Sequence, residues 1–395
     1  MASIDKFKTE KGEQRYRVRY AYYKNGVRMQ RARTFKLSRE ANAFLAKVEH
    51  SINTGMYADA RGFTVGQYLN LWLNTYAVNV RPNSHKSYEV MIRQHIIPHI
   101  GGTRLESLST LAIQHMYGEI RKTEYMPAKY EEHGTLRVCV RPAKTYSAKT
   151  VRNIHALLHL ALDHARREGL IAKNPADDAK LPSARPQDYT IPTPEQMKRL
   201  LDELNGADCF LVILTCAVMG CRRGEALGLY WSDIDFEESK LEFKRALIVN
   251  NLTNTVEIGE LKTKNARRVL PMPAMLRAEL LKVKQEKEKA ARGLGKHIVS
   301  SPFVFTNIQG KPFRPETITQ AFKRAAVKVG LPDMRLHDLR HTAITYMLEA
   351  GENPKTVSEF AGHATANFTM NQYAHVLEDS KKKASDSLMK TLFLE

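Results

Sequence analysis

The apolar positions change their period several times along the chain, and each change marks an element. In residues 1–37 they alternate. Tyr16, Val18, Tyr20 and Tyr22 fall on one side and Arg15, Arg17 and Arg19 on the other, the period-two signature of a half-buried strand. Lys24-Asn25-Gly26 is a hairpin turn signal, and a second basic strand runs through Arg28, Arg31 and Arg33 to Phe35. From Ser38, a helix-capping residue type, the period lengthens to that of a helix through Ala43, Phe44, Ala46 and Val48. Residues 56–62 read as a linker. Thr64 then opens an amphipathic helix with Val65, Tyr68, Leu69, Trp72 and Tyr76 on one face. Asn83 is placed to cap the next, through Tyr88, Met91, Ile92, His95 and Ile96, with Pro98 and Gly101-Gly102 ending it. Ser109 begins a third, through Ile113, Met116 and Ile120. Residues 123–146 carry no clean period and are expected to be loop. Ser147 begins a fourth helix with Val151, Ile154, Leu157, Leu158, Ala161 and Ala165, stopped by Gly169. The tyrosines and tryptophan of this bundle are expected in its core.

Residues 180–192, with Pro182, Pro186 and Pro192, read as a second linker. Thr193-Pro194-Glu195-Gln196 supplies an N-cap, a proline at the first helical position and a glutamine at the third. The last domain starts there. Phe210 to Met219 is an apolar helix stopping at Gly220, Arg222-Arg223 follow, and another helix begins with Glu225. Leu241–Val249, Thr255–Ile258 and Val269–Met272 alternate as one three-stranded sheet. Ala274–Arg292 reads as a polar surface helix, Phe303–Phe305 as a short strand and Pro315–Val329 as a helix ending at Gly330. A further helix carries His337 and Arg340, anchored by Leu339, Ala343, Ile344, Met347 and Leu348, with His341 as a packing or capping residue. The fold class is multidomain α+β. A small sheet plus helix occupies 1–55 and an all-α bundle 62–180. A mainly α domain with a small antiparallel sheet occupies 190–395.

Charge narrows the partners. Lys and Arg exceed Asp and Glu by 61 to 42, a net +19, which suits a polyanion such as nucleic acid. Residues 1–50 alone hold thirteen Lys or Arg against five Asp or Glu. The sheet there can lay its basic strands on DNA, as β-readers do, or simply expose a solvated basic face. Lys86, Arg93, Lys149, Arg152 and Arg166 are candidate phosphate contacts on the bundle. No signal peptide or apolar run long enough for a membrane span is visible, so a cytoplasmic protein with no membrane partner is expected. The four cysteines form no Cys-x-x-Cys pair and read as ordinary thiols.

The chemistry concentrates near the end. His337 and Arg340 lie one helical turn apart, His363 follows the helix-ending Gly362, and Tyr373 comes ten residues later. An arginine fork binds phosphate oxygens, histidine holds or moves a proton near neutral pH, and tyrosine is an accepted covalent nucleophile. Together they suggest phosphoryl transfer onto Tyr373. A metal site through His337, His341, His363 and His375 is the rival reading, without ligand spacing to support it. Arg222-Arg223 by itself reads as a structural salt bridge, and Lys262 and Lys264 as solvated turn residues.

HDLRH before an apolar helix, then GH, then Tyr-Ala-His, together with MGCRRGEALGLYWSDID and GELKTKNARRVLPMP upstream, resembles the tyrosine recombinase (phage integrase) family. The resemblance covers roughly residues 64–380 and is strongest from 210 to 377. It implies that Arg222, Lys262, His337, Arg340, His363 and Tyr373 are catalytic, with Lys262 preferred over Lys264. It also implies a 3′-phosphotyrosyl intermediate formed without cofactor or metal. The N-terminal sheet would bind arm sites through Arg15, Arg17, Arg19, Arg28, Arg31 and Arg33. The bundle and catalytic domain would clamp a double-stranded core site. Four protomers would act through a Holliday junction, exchanging the apolar C-terminal tail in trans, with a host DNA-bending protein and an excisionase as further partners. A type IB topoisomerase and a non-catalytic DNA-binding regulator are the alternatives.

Overall fold

The computed structural model describes residues 3–9, 12–24, 27–53, 63–125, 130–133, 136–139, 143–183, 189–261, 263–293, 301–307, 309–363, 365–373, 389 and 392. The chain separates into two compact units, residues 1–185 and 186–395. The first linker lies largely outside the described residues, as do residues 184–188 of the second.

The first unit contains two separate hydrophobic cores. Strands β1 (Ser3–Lys8), β2 (Gln14–Lys24) and β3 (Val27–Phe35) form an antiparallel sheet in that order. Helix α1 (Ser38–Asn53) packs on it through Ala41 and Phe44, over Val18 and Tyr20. The register divides the arginines between two faces. Arg17 lies opposite Thr34 and Arg19 opposite Ala32, whereas Arg31 and Arg33 lie opposite Tyr20 and Val18. Directly paired residues share a sheet face, so Arg31 and Arg33 stand on the helix side, and the Arg33 guanidinium lies 5.3 Å over the ring of Phe44. One uniformly basic surface does not form.

The bundle comprises α2 (Val65–Thr75), α3 (Pro82–Met91), α4 (Ile97–Ile100), α5 (Thr110–Lys122) and α6 (Ala148–Arg167). Thr64 and Gln67 form a reciprocal capping box, and Ser109 and Ser147 cap α5 and α6. Tyr68, Trp72 and Tyr117 are buried. Two expectations fail here for local reasons. Asn83 is not the cap, because the helix starts at Pro82 after Arg81, where a proline costs no hydrogen bond. Pro98 does not end the helix either. A π-helical turn, Ile92–Ile96, widens the ladder just before it, and the proline then occupies the first turn of α4. Residues expected to be loop contain short ladders, β4 (Glu124–Tyr125) with β7 (Lys144–Thr145), and β5 (Tyr130–His133) with β6 (Leu136–Cys139).

The second unit begins with α7 (Pro194–Leu204), opened by the capping box of Thr193 and Gln196. Apolar α8 (Phe210–Met219) runs through the centre of the core, followed by α9 (Arg223–Leu227). The expected single sheet is two. Strand β9 (Lys240–Phe243) lies between β8 (Ile234–Asp235) and β12 (Arg268–Pro271), while β10 (Arg245–Asn250) and β11 (Thr255–Glu260) form their own hairpin. The break falls where Lys244 and Arg245 turn to the buried carboxylate of Asp233, at 3.5 and 2.5 Å. Helices α10 (Ala274–Gly293), α11 (Pro315–Lys328), α12 (Asp338–Glu349), α13 (Pro354–Ala361) and α14 (Ala366–Gln372) complete the unit. Phe303 makes a single bridge to Tyr230 rather than a strand. Among the described residues no helix is long and apolar enough to cross a membrane.

Candidate active site

The site is built from three helix ends. Helix α8 stops because Gly220 takes a left-handed conformation, φ +54°. The carbonyl of that glycine accepts a 2.8 Å hydrogen bond from Arg340 Nη1. Arg222 occupies the N-cap of α9. Its Nη1 lies 2.7 Å from Glu225 Oε1, and its peptide N–H donates to Oε2 of the same carboxylate at 3.1 Å. His337 occupies the N-cap of α12 rather than its first turn, and Arg340 follows one turn on. Arg223 points away, donating to the carbonyl of Pro315.

Glu225 is 2% exposed and also accepts from Arg268 Nη2 at 3.1 Å. Burial pushes its carboxyl up, but Arg268 and Arg222 outweigh burial and hold it below the usual carboxylate range. Arg268 spends the rest of its fork on the carbonyls of Phe360 and Ala266, at 2.7 and 2.9 Å, so Glu225 and Arg268 form a fully engaged buried base under Arg222. A buried ion pair holds only when both partners are this well satisfied. Gly362 explains its own residue type here. Its φ is +70°, and a Cβ would meet Arg268 Nη1 at 2.9 Å.

Arg340 is 2% exposed, and its Nη2 makes no hydrogen bond among the described residues. Burial, then the charge of Arg222, lowers its guanidinium pKa to about 10. The same two arginines act on both imidazoles. His337 is lowered first by its surroundings' desolvation, then by Arg340 and Arg222. His363 is lowered by burial, Arg340 and Arg222 to about 3. Arg222, His337, Arg340 and His363 therefore lie close enough to form one electropositive cluster, with a spare buried donor on Arg340. His363 is fixed by a 2.7 Å hydrogen bond between Nδ1 and Thr369 Oγ1, and its carbonyl accepts from Asn265.

Tyr373, just past α14, is 2% exposed among Ile344, Leu348, Val357 and Ala361. Burial raises its phenol pKa, with Arg340 opposing. Its hydroxyl lies 2.5 Å from His341 Nδ1. His341 packs against the rings of Tyr189 and His337, as expected of a packing residue, and is in addition a hydrogen-bonding partner of the tyrosine. Sequence reasoning also missed Arg268 and Thr369. Arg268 carried a signal, since it alternates in phase with the buried Leu270 of β12.

Lys262 and His375 lie outside the described residues, as does the C-terminal tail apart from the exposed Met389 and Leu392. The candidate DNA contacts are less concentrated than expected. Lys86 and Arg93 both pair with Glu89, at 3.0 and 3.1 Å, and Arg166 pairs with Asp163 at 2.7 Å. Arg152 donates to the carbonyl of Pro182, and Lys149 stays exposed. On the sheet, Arg15 pairs with Glu13, Arg19 pairs with Asp5 at 3.0 Å, and Arg17 lies over Phe7. The Arg28 side chain lies outside the described residues.

The imidazoles predict a pH response. Folded values of about 4 for His341 and about 3 for His363 lie below the unfolded value, so the unfolded chain binds more protons as pH falls through about 6.5. The stability of the catalytic unit should be full above that pH and decline steadily toward about 4. Calorimetry across this range should show the decline, with a shallower slope in a His363→Asn variant.

Comparison with known proteins agrees with this geometry. Residues 192–380 match the phage integrase family and residues 64–120 the phage integrase N-terminal SAM-like domain. A tyrosine recombinase XerC-like protein of Caldanaerobacter subterraneus subsp. tengcongensis is 27% identical, over 95% of this chain and 96% of its own. The integrase of transposon Tn1549, solved with circular intermediate DNA, superposes with a TM-score of 0.67 at 22% identity, covering 83% of this chain and 100% of that one. A lambda integrase tetramer bound to a Holliday junction gives 0.54 at 14% identity, covering 91% and 96%. These structures share the fold. With the two family matches spanning more than half of its length, the chain belongs to the tyrosine recombinase (phage integrase) family of site-specific DNA recombinases.

Proposed function

We propose that this recombinase integrates and excises a phage or other mobile element by cleaving duplex DNA with Tyr373, forming a 3′-phosphotyrosyl bond and freeing a 5′-hydroxyl. One observation carries the assignment of the site. The Arg340 guanidinium is buried beside Arg222 with a donor to spare, an arrangement that an anion such as a phosphodiester compensates in both charge and hydrogen bonding. Arg222 and Arg340 neutralise the non-bridging oxygens, the main electrostatic contribution to phosphoryl transfer. His337 assists the proton transfers, His363 orients the phosphate, and Lys262 protonates the leaving 5′ oxygen. One phosphate ester is exchanged for another of similar energy, so neither ATP nor a metal ion is required.

In this reading residues 1–55 hold accessory arm sites and residues 62–180 clamp the core site with the catalytic domain, 190–395. Four protomers assemble on the junction and exchange their C-terminal tails, as the lambda integrase tetramer on a Holliday junction makes reasonable. A host DNA-bending protein and an excisionase set direction, and the protein works in the cytoplasm on the nucleoid. A plasmid assay tests the function. With paired sites the protein should join two plasmids in EDTA. Relaxation of supercoils with no joining would point instead to a type IB topoisomerase.

A further inference from the structure

We propose that His341 is a further catalytic residue, taking the phenolic proton of Tyr373 as that oxygen attacks phosphorus, and that Tyr189 is the positioning residue that holds its ring. The proposal rests on the recombinase reading above and deepens it at the nucleophile.

The need for a base follows from where the phenol sits. Tyr373 is 2% exposed and surrounded by aliphatic side chains, so a free phenolate is disfavoured before attack. Its proton has to leave as the O–P bond forms, to a group already in contact. Among the described residues the hydrogen bond recorded for this hydroxyl goes to His341 Nδ1, at 2.5 Å. That distance lies within the reach required of a general base.

The imidazole is held on both sides. The ring of Tyr189 lies over it with centroids 3.8 Å apart and planes 30° from parallel, and His337 meets it edge-on at 5.2 Å. Tyr189 comes from the segment just before α7. That segment is tied to α12 by a 2.7 Å hydrogen bond from the Tyr346 hydroxyl to the carbonyl of Pro192. A ring so clamped keeps Nδ1 aimed at the phenol.

The charges facing His341 decide its protonation. Burial, then His337, Arg340 and Arg335 lower its pKa to about 4, with Asp338 opposing them. At neutral pH the ring is uncharged and Nδ1 can accept. A bound phosphodiester adds negative charge beside the ring, which favours imidazolium and strengthens the base when it is needed.

The step balances. The Tyr373 oxygen bonds to phosphorus, the bond to the 5′ oxygen breaks, and the phenolic proton passes to His341 Nδ1. The leaving 5′ oxygen takes a proton from the general acid. Rejoining runs in reverse, returning the proton to Tyr373, so no oxidant or co-reactant enters.

The test uses the full-length chain and a duplex selected for binding from a randomised library, nicked beside the cleaved phosphate so that rejoining fails. The rate of covalent adduct formation is followed against pH. His341→Ala should slow it by about 10² to 10³-fold with DNA binding unchanged. Its rate should rise about tenfold per pH unit as phenolate forms, where the wild type is flat, and added imidazole should restore part of the rate. His341→Asn keeps a hydrogen-bonding group near the phenol but cannot take a proton, so it should be equally slow. Tyr189→Ala should lose about tenfold and Tyr189→Phe almost nothing. A wild-type rate and pH profile in His341→Asn would overturn the proposal while leaving the recombinase reading intact. Absence of any Tyr373 adduct in the wild-type protein on DNA it binds would overturn both.

Discussion

Tyr373→Phe is expected to bind DNA as the wild type does and to form no covalent complex, a loss of at least about 10⁴-fold. The ring stays in its pocket, so the aliphatic packing against Ile344, Leu348, Val357 and Ala361 is kept. Only the hydroxyl and its contact to His341 are removed. Such a hydrogen bond is worth about 1 kcal/mol of stability, so the variant should melt close to the wild type. Gel shift, denaturing gel and calorimetry together separate lost chemistry from lost fold.

Arg340→Met is expected to lower the rate of adduct formation by about 10³ to 10⁵-fold, the range seen when an arginine is withdrawn from a phosphoryl-transfer site. Its stability should not fall in parallel. A buried guanidinium whose pKa is lowered to about 10 is disfavoured in its charged form by roughly 3 kcal/mol. Methionine removes that cost while filling much of the space, at the expense of the Nη1 bond to the Gly220 carbonyl. In the proposed function, the negative charge of a bound phosphodiester would offset that cost. Parallel melting and single-turnover curves check this, and a large drop in melting temperature would show Arg340 to be a structural strut.

Much of the fold was legible because local rules governed it. The alternation of Val18 and Tyr20 found its helix, and the caps at Thr64, Ser109, Ser147 and Thr193 stand where the sequence placed them. The failures share a cause. Pro98 is tolerated because the π-turn before it alters the ladder, and the sheet divides at Lys244 because Asp233 lies buried nearby. Both depend on neighbours that periodicity does not report. In the site, residue type and spacing singled out His337, Arg340, His363 and Tyr373, and the resemblance added Arg222. What stayed hidden was part of their support, Arg268 beneath Glu225 and Thr369 against His363. His341 and Tyr373 are 32 positions apart, a separation that likewise gives no local sign that the two meet.

The most direct measurement incubates the protein in EDTA with a nicked duplex carrying its recombination site, then digests the covalent complex and maps the modified peptide by mass. A DNA remnant on Tyr373, joined through a 3′-phosphate, is the predicted result. A remnant on any other residue, or cleavage of correctly bound DNA that needs a divalent metal and leaves no protein attached, would contradict the account.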